Sequence, residues 1–118
     1  MPKPNEHLSW ARQNETFADT LDADTQVEAN WAVTALFYAA VHYVNAYLVS
    51  RGLARQDHAV REASMRQPFF DPVRTKYKRL KDMSREARYE IAPYCQRDVE
   101  RAKGLLNEIK NHVLTKFS

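Results

Sequence analysis

Arg74, Lys78, Lys81, Arg85 and Arg88 recur at intervals of four and three residues. On a continuous helix they form one basic stripe beside the apolar stripe of Tyr77, Leu80 and Ala87. Phosphate backbones suit such an array, because cations that neutralise them displace condensed counterions. The same residues also read as a solvated face, since Asp82 and Glu86 offer local partners. His58 and Arg61 stand three residues apart at an expected helix start, where backbone N–H groups and a guanidinium can hold a phosphate or carboxylate. The alternative there is an ordinary first turn packed on the rest of the fold. His42 follows Tyr38 by four residues inside a long apolar segment. In that setting a hydrogen-bonded core histidine competes with a catalytic acid or base.

Other chemistries find little support. The four histidines, at 7, 42, 58 and 112, have no partner at helical metal-ligand spacing, and Cys95 stands alone. No metal and no cofactor is expected. No glycine-rich phosphate loop is present, and Ser84 has no base beside it in sequence to activate it. The single cysteine excludes an internal disulfide, so a reducing cytoplasm is the expected location. The opening MPKPNEHLSW lacks the apolar run of a signal peptide. Charge is uneven. Residues 1–50 carry two basic and six acidic side chains, whereas residues 51–118 carry sixteen basic and nine acidic. Such a split points to an acidic partner or to a surface that simply segregates its charges.

The elements that must position these residues are helical. Only two glycines occur in 118 residues, too few for a fold built on tight strand turns. A first helix is expected from Glu6 to Leu21, with Leu8, Ala11, Phe17 and Leu21 on one face. Thr25 and Glu28 form a capping-box pattern for a second helix from Gln26 to Arg51, stopped by Gly52. Its segment WAVTALFYAAVHYVNAYLV is apolar nearly all round and long enough to raise the question of a membrane span. His42 and Asn45 would be costly at mid-bilayer, so a covered core helix is the expected reading. A third, short helix is expected from Asp57 to before Pro68. A fourth should open on Asp71-Pro72 as N-cap and N1 and run at least to Met83. After Pro93, the last should run from Tyr94 to Lys116. Together they predict one all-α domain over residues 1–118, an up-and-down bundle of four to five helices. The central helix has apolar groups on more faces than short neighbours readily cover. A homodimer through it is therefore expected, with Tyr43 and Tyr47 on the uncovered face.

Phe37-Tyr38-Ala39-Ala40-Val41-His42 in this apolar helix resembles the FYA-x-x-H core of HEPN-domain proteins. His58, after a glycine turn, stands where many of these carry a histidine. Leu80 followed by Ser84-Arg85-Glu86-Ala87-Arg88-Tyr89 resembles the family's L…R-x-x-A-[DR]-Y element, and the final amphipathic helix fits as well. The resemblance covers residues 25–117. It implies a helical bundle, commonly dimeric, in toxin–antitoxin, phage-defence or CRISPR settings. It also implies a polar centre of Tyr38, His42, Tyr77 and Tyr89 with Arg88 nearby. Nuclease members use an Arg-x(4–6)-His motif. Here His112 is preceded at that distance by Asn107, while Arg51 and His58 satisfy the spacing only across the Gly52 turn.

The expectation that follows is a binding or regulatory module that takes RNA, a nucleotide or the product of a neighbouring gene. Its binding residues would be Arg61, Arg74, Lys78, Lys81, Arg85 and Arg88. A metal-independent endoribonuclease is the alternative, with His58 and Arg51 as catalytic pair, or with Arg61 or Arg88 in place of Arg51. A purely structural partner-binding bundle is the third reading.

Overall fold

The computed structural model describes residues 2–53, 58–89 and 93–117, with only the backbone described for residues 58–60. Five α-helices follow in order: α1 (Pro4–Asp19), α2 (Gln26–Ser50), α3 (His58–Ser64), α4 (Arg74–Tyr89) and α5 (Gln96–Leu114). A single 3₁₀ turn, Pro68–Phe70, separates α3 from α4, and no strand occurs among the described residues. The chain is an up-and-down bundle measuring 40 × 23 × 23 Å. The central helix α2 packs against α1, α4 and α5, and α4 also packs against α5.

The ends of α2 follow from local chemistry. Thr25 Oγ1 accepts the Glu28 N–H at 3.3 Å, and the Glu28 carboxylate accepts the Asp22 N–H at 3.0 Å. The capping glutamate thus reaches back into the preceding turn, beyond the N-cap residue itself. At the other end Gly52 adopts φ 74°. The Leu53 N–H bonds the Leu48 carbonyl at 2.8 Å and the Gly52 N–H bonds that of Val49 at 3.0 Å. This is a Schellman stop, which a residue with a Cβ would strain. The start of α4 differs from the expected cap. Asp71 closes the 3₁₀ turn, and its carboxylate pairs with the Arg74 side chain at 2.5 Å, so it does not cap backbone N–H groups. The proposed cap at Asp57 lies outside the described residues.

The expected uncovered face of α2 is corrected by the structure. Tyr43 is 0% exposed and Tyr47 6%. Six alanines of α2 (29, 32, 35, 39, 40 and 46) are buried. With such small side chains α2 lets its three neighbours approach closely, and one chain covers most of it. Tyr43 donates its hydroxyl to Glu15 of α1. Tyr47 stacks flat on Phe69 of the 3₁₀ turn, 3.9 Å between centroids. By length and hydropathy α2 could cross a membrane, yet 83% of its most apolar window is buried inside the bundle. The exposed apolar residues of α2 are Val27, Trp31 and Tyr38, spaced four and seven residues apart on one stripe.

The packing of α2 sets a stability prediction. Phe37 is 1% exposed and lies 5.7 Å from the Tyr77 ring. Phe37→Ala should cost about 3–5 kcal/mol in urea unfolding. Val27→Ser, at a position 68% exposed, should change stability by less than about 0.5 kcal/mol. Equal effects would contradict this assignment of faces.

Candidate functional site

Helix α4 carries seven basic and two acidic residues in sixteen positions. Tyr77, Leu80 and Ser84 turn inward, and the basic stripe runs along their flank. Its members do different work. Arg74 is half-buried and donates to the carbonyls of Met65 (2.8 Å) and Gln67 (3.3 Å) as well as to Asp71. It staples the turn that leads into its own helix. Lys81 is paired with Glu62 of α3. Lys78 and Arg85 are exposed and form no salt bridge among the described residues, and the same holds for Arg79 on the adjoining face. Arg88 Nη1 donates to the Tyr38 hydroxyl at 2.6 Å. Its guanidinium also lies 5.5 Å from the Tyr38 ring centre and 5.2 Å from that of Tyr89. Two shallow grooves flank this face. One, of about 340 Å³, lies between α3 and α4 with Met65 and Tyr77 at its base and Arg66, Lys78 and Lys81 at its edges. The other, of about 460 Å³, lies between the first half of α2 and the end of α4.

Arg61 does not join this face, which corrects the expectation that it opens onto the stripe. It is 3% exposed. Its Nε donates to Asn45 Oδ1 of α2 at 3.2 Å. A buried guanidinium is tolerated only where hydrogen bonds replace its water, and Asn45 supplies one inside an otherwise apolar helix. The positive charge of Arg61 also acts on His7, His42 and Tyr77. Arg61 therefore ties α3 to the core. His58 begins α3, and its side chain lies outside the described residues. Arg51 is the exposed C-cap of α2. On α5, Asn107 is exposed, whereas His112 stacks on Phe69 at 4.4 Å and its Nε2 meets the Phe69 carbonyl. Among the described residues no group of three or more His, Cys, Asp or Glu side chains is placed to hold a metal ion.

The expected polar centre divides in two. Tyr38, Arg88 and Tyr89 form a surface cluster, with Tyr89, the last residue of α4, 76% exposed and so outside the interior where it was expected. The interior cluster gathers around Arg61 and holds His42, Asn45 and Tyr77, together with His7, which the sequence reading missed. His7 is 0% exposed. Its Nδ1 lies 3.1 Å from His42 Nδ1, and Trp10 closes the group at 5.5 Å from the His7 ring and 5.4 Å from that of His42. The spacing of His7, Ala11 and Ala18 along the buried face of α1 was the available signal. In such a pair one ring donates its N–H and the other must accept, so at least the accepting ring is neutral. Burial lowers the pKa of His42 to about 4, with His7 and Arg61 adding repulsion. Burial also lowers that of His7, opposed by Glu6 and assisted by Arg61.

The sequence matches no protein-family model and no curated protein.

The His7–His42 contact generates a pH prediction. Both folded-state pKa values lie below the ordinary histidine value. The contribution to stability is therefore complete above about pH 6.5 and is lost as the pH falls toward about 4. For the partly buried His42 the loss should be about 1–2 kcal/mol, screening at its outer edge reducing the full effect. Urea unfolding of His42→Phe should show a flatter pH dependence over that window than the parent does. Parallel curves would contradict the clasp.

Proposed function

We propose that this chain is a HEPN-like module that binds RNA on the outer face of α4 without cutting it. The observation that carries this reading is the exposure of Lys78 and Arg85, free of acidic partners among the described residues, on a helix with seven basic and two acidic side chains. Surface ion pairs such as Lys81–Glu62 contribute little, so a phosphate can replace the glutamate at small cost. The resemblance of residues 37–42 and 84–89 to HEPN proteins supports the reading and suggests a toxin–antitoxin or phage-defence setting. General acid–base cleavage needs a histidine that reaches the scissile phosphate and titrates near neutrality. His7 is buried, His42 is held neutral by burial, and His112 is engaged with the Phe69 carbonyl. His7 and His42, whose pKa values are both lowered by burial, are therefore not fitting acids at neutral pH.

The experiment is a salt titration of RNA binding with the RNA recovered and sized. The parent should bind with a steep negative salt dependence and return the RNA intact. Changing both Lys78 and Arg85 to Ala should weaken binding and flatten the slope by roughly 0.7 per lost single-strand contact. Arg74→Ala should instead act on the fold. Its three hydrogen bonds stabilise the turn before α4, and their loss should cost about 1–3 kcal/mol of stability. A double variant that binds like the parent would remove α4 from the interface. Cleavage by the parent in chelator, abolished by His58→Ala, would replace the binding reading with the nuclease one.

A further inference from the structure

The groove between α2 and α4 has a composition that the basic stripe alone does not require. Trp31 is 55% exposed, Val27 68% and Tyr89 76%, and all three border the same space of about 460 Å³. That volume lies within the range of sites for small organic ligands, roughly 300–1,000 Å³. Asn30 Nδ2 donates to the Ala87 carbonyl at 3.5 Å, which ties α2 to α4 at the base of the groove. Arg88 forms the rim, held by the Tyr38 hydroxyl with its guanidinium near both tyrosine rings. Exposed rings cost free energy in water unless something flat or apolar covers them.

The surrounding charge selects among occupants. Arg85 is exposed one turn back along α4 from Arg88, and Lys78 lies about 15 Å from Arg88 at the helical rise. Two of the nearby acids are engaged elsewhere, and Asp82 forms no salt bridge with Lys78 or Arg85. Glu86 accepts from the Tyr94 hydroxyl, and Glu28 is held in the cap of α2. An apolar helix would leave these cations unanswered. A second copy docked by a two-fold would bring the same arginines to one interface twice. A nucleotide answers both features, with a flat base for the rings and phosphate for the arginines.

We propose that this groove is a stacking platform for an unpaired base of single-stranded RNA, seated against Trp31 and Tyr89, with the adjoining phosphates running past Arg88 and Arg85 toward Lys78. The proposal rests on the RNA-binding reading above and adds a selectivity to it. Bases in a duplex keep their faces stacked on each other, so only a single strand can use the platform. Charge alone would favour the duplex, whose charge density is higher.

The test uses full-length protein carrying Trp10→Phe, so that Trp31 is the only emitting indole. An oligoadenylate and an RNA duplex of equal length are titrated at the same salt concentration. Binding of the single strand should quench Trp31 emission, and binding of the duplex should not. Trp31→Leu and Tyr89→Leu should each weaken single-strand binding about tenfold, with the salt slope unchanged. Trp31→Phe should retain most of the affinity, which separates stacking from a folding defect. Salt-dependent binding of both RNAs with equal affinity and no quenching would overturn the platform and leave the α4 interface standing. Absence of any RNA binding would overturn both. A dimer that Trp31→Leu converts to monomer, with no quenching by RNA in the parent, would assign the groove to a second copy and overturn the platform.

Discussion

Burial of α2 against α1, α4 and α5 sets where every other group in this chain can go. Sixteen of its twenty-five residues are buried, so each polar side chain on it must find a partner on whichever element lies opposite. Asn45 accepts from Arg61 of α3, His42 meets His7 of α1, and Tyr43 donates to Glu15 of α1. Thr34 returns its hydroxyl to the Asn30 carbonyl of the same helix. An unpaired polar group in this interior would cost more than a paired one contributes. These contacts therefore act as register marks: an α1 or α3 shifted by one turn would leave Tyr43, His42 or Asn45 without its partner.

The same packing explains the charge split along the chain. The acids of α1 are partly answered by the bases of α5. Lys110 pairs with Glu15 at 3.2 Å and Lys103 with Asp19 at 3.1 Å. Lys110 also lies 5.9 Å from the Tyr43 ring, so one network joins α1, α2 and α5. The largest excess of one sign on any helix, seven basic against two acidic residues, is on α4, whose outward residues meet solvent. The positive face is thus the residue of an internal charge balance. It lies beside Trp31, Tyr38 and Tyr89, which are also left uncovered.

The helices were legible because their signals are local. Hydrophobic spacing, the Thr25 cap and the Gly52 stop placed α2 to within a residue of Gln26–Ser50. The basic stripe was legible for the same reason, since its members share one helix. Partners that depend on packing were not legible. Arg61 looks like a surface arginine until Asn45, sixteen residues earlier, is found opposite it. Tyr43 and Tyr47 looked uncovered because nothing local announces Glu15 or Phe69 as their neighbours. Tyr38 and His42 share a helix face in sequence, yet Tyr38 bonds Arg88 on α4 and His42 meets His7 on α1.

In the proposed RNA-binding reading the arginines and tryptophans divide their labour, with Arg61 and Trp10 holding the fold and Arg85, Arg88 and Trp31 meeting the ligand. A nitrogen–proton correlation spectrum of labelled protein, titrated with a short single-stranded RNA, tests it directly. The Nε–H signals of Arg85 and Arg88 and the indole signal of Trp31 should move together, while those of Arg61 and Trp10 stay in place. Shifts centred on Arg61 and Trp10, or on the α1–α5 side of the bundle, would contradict it.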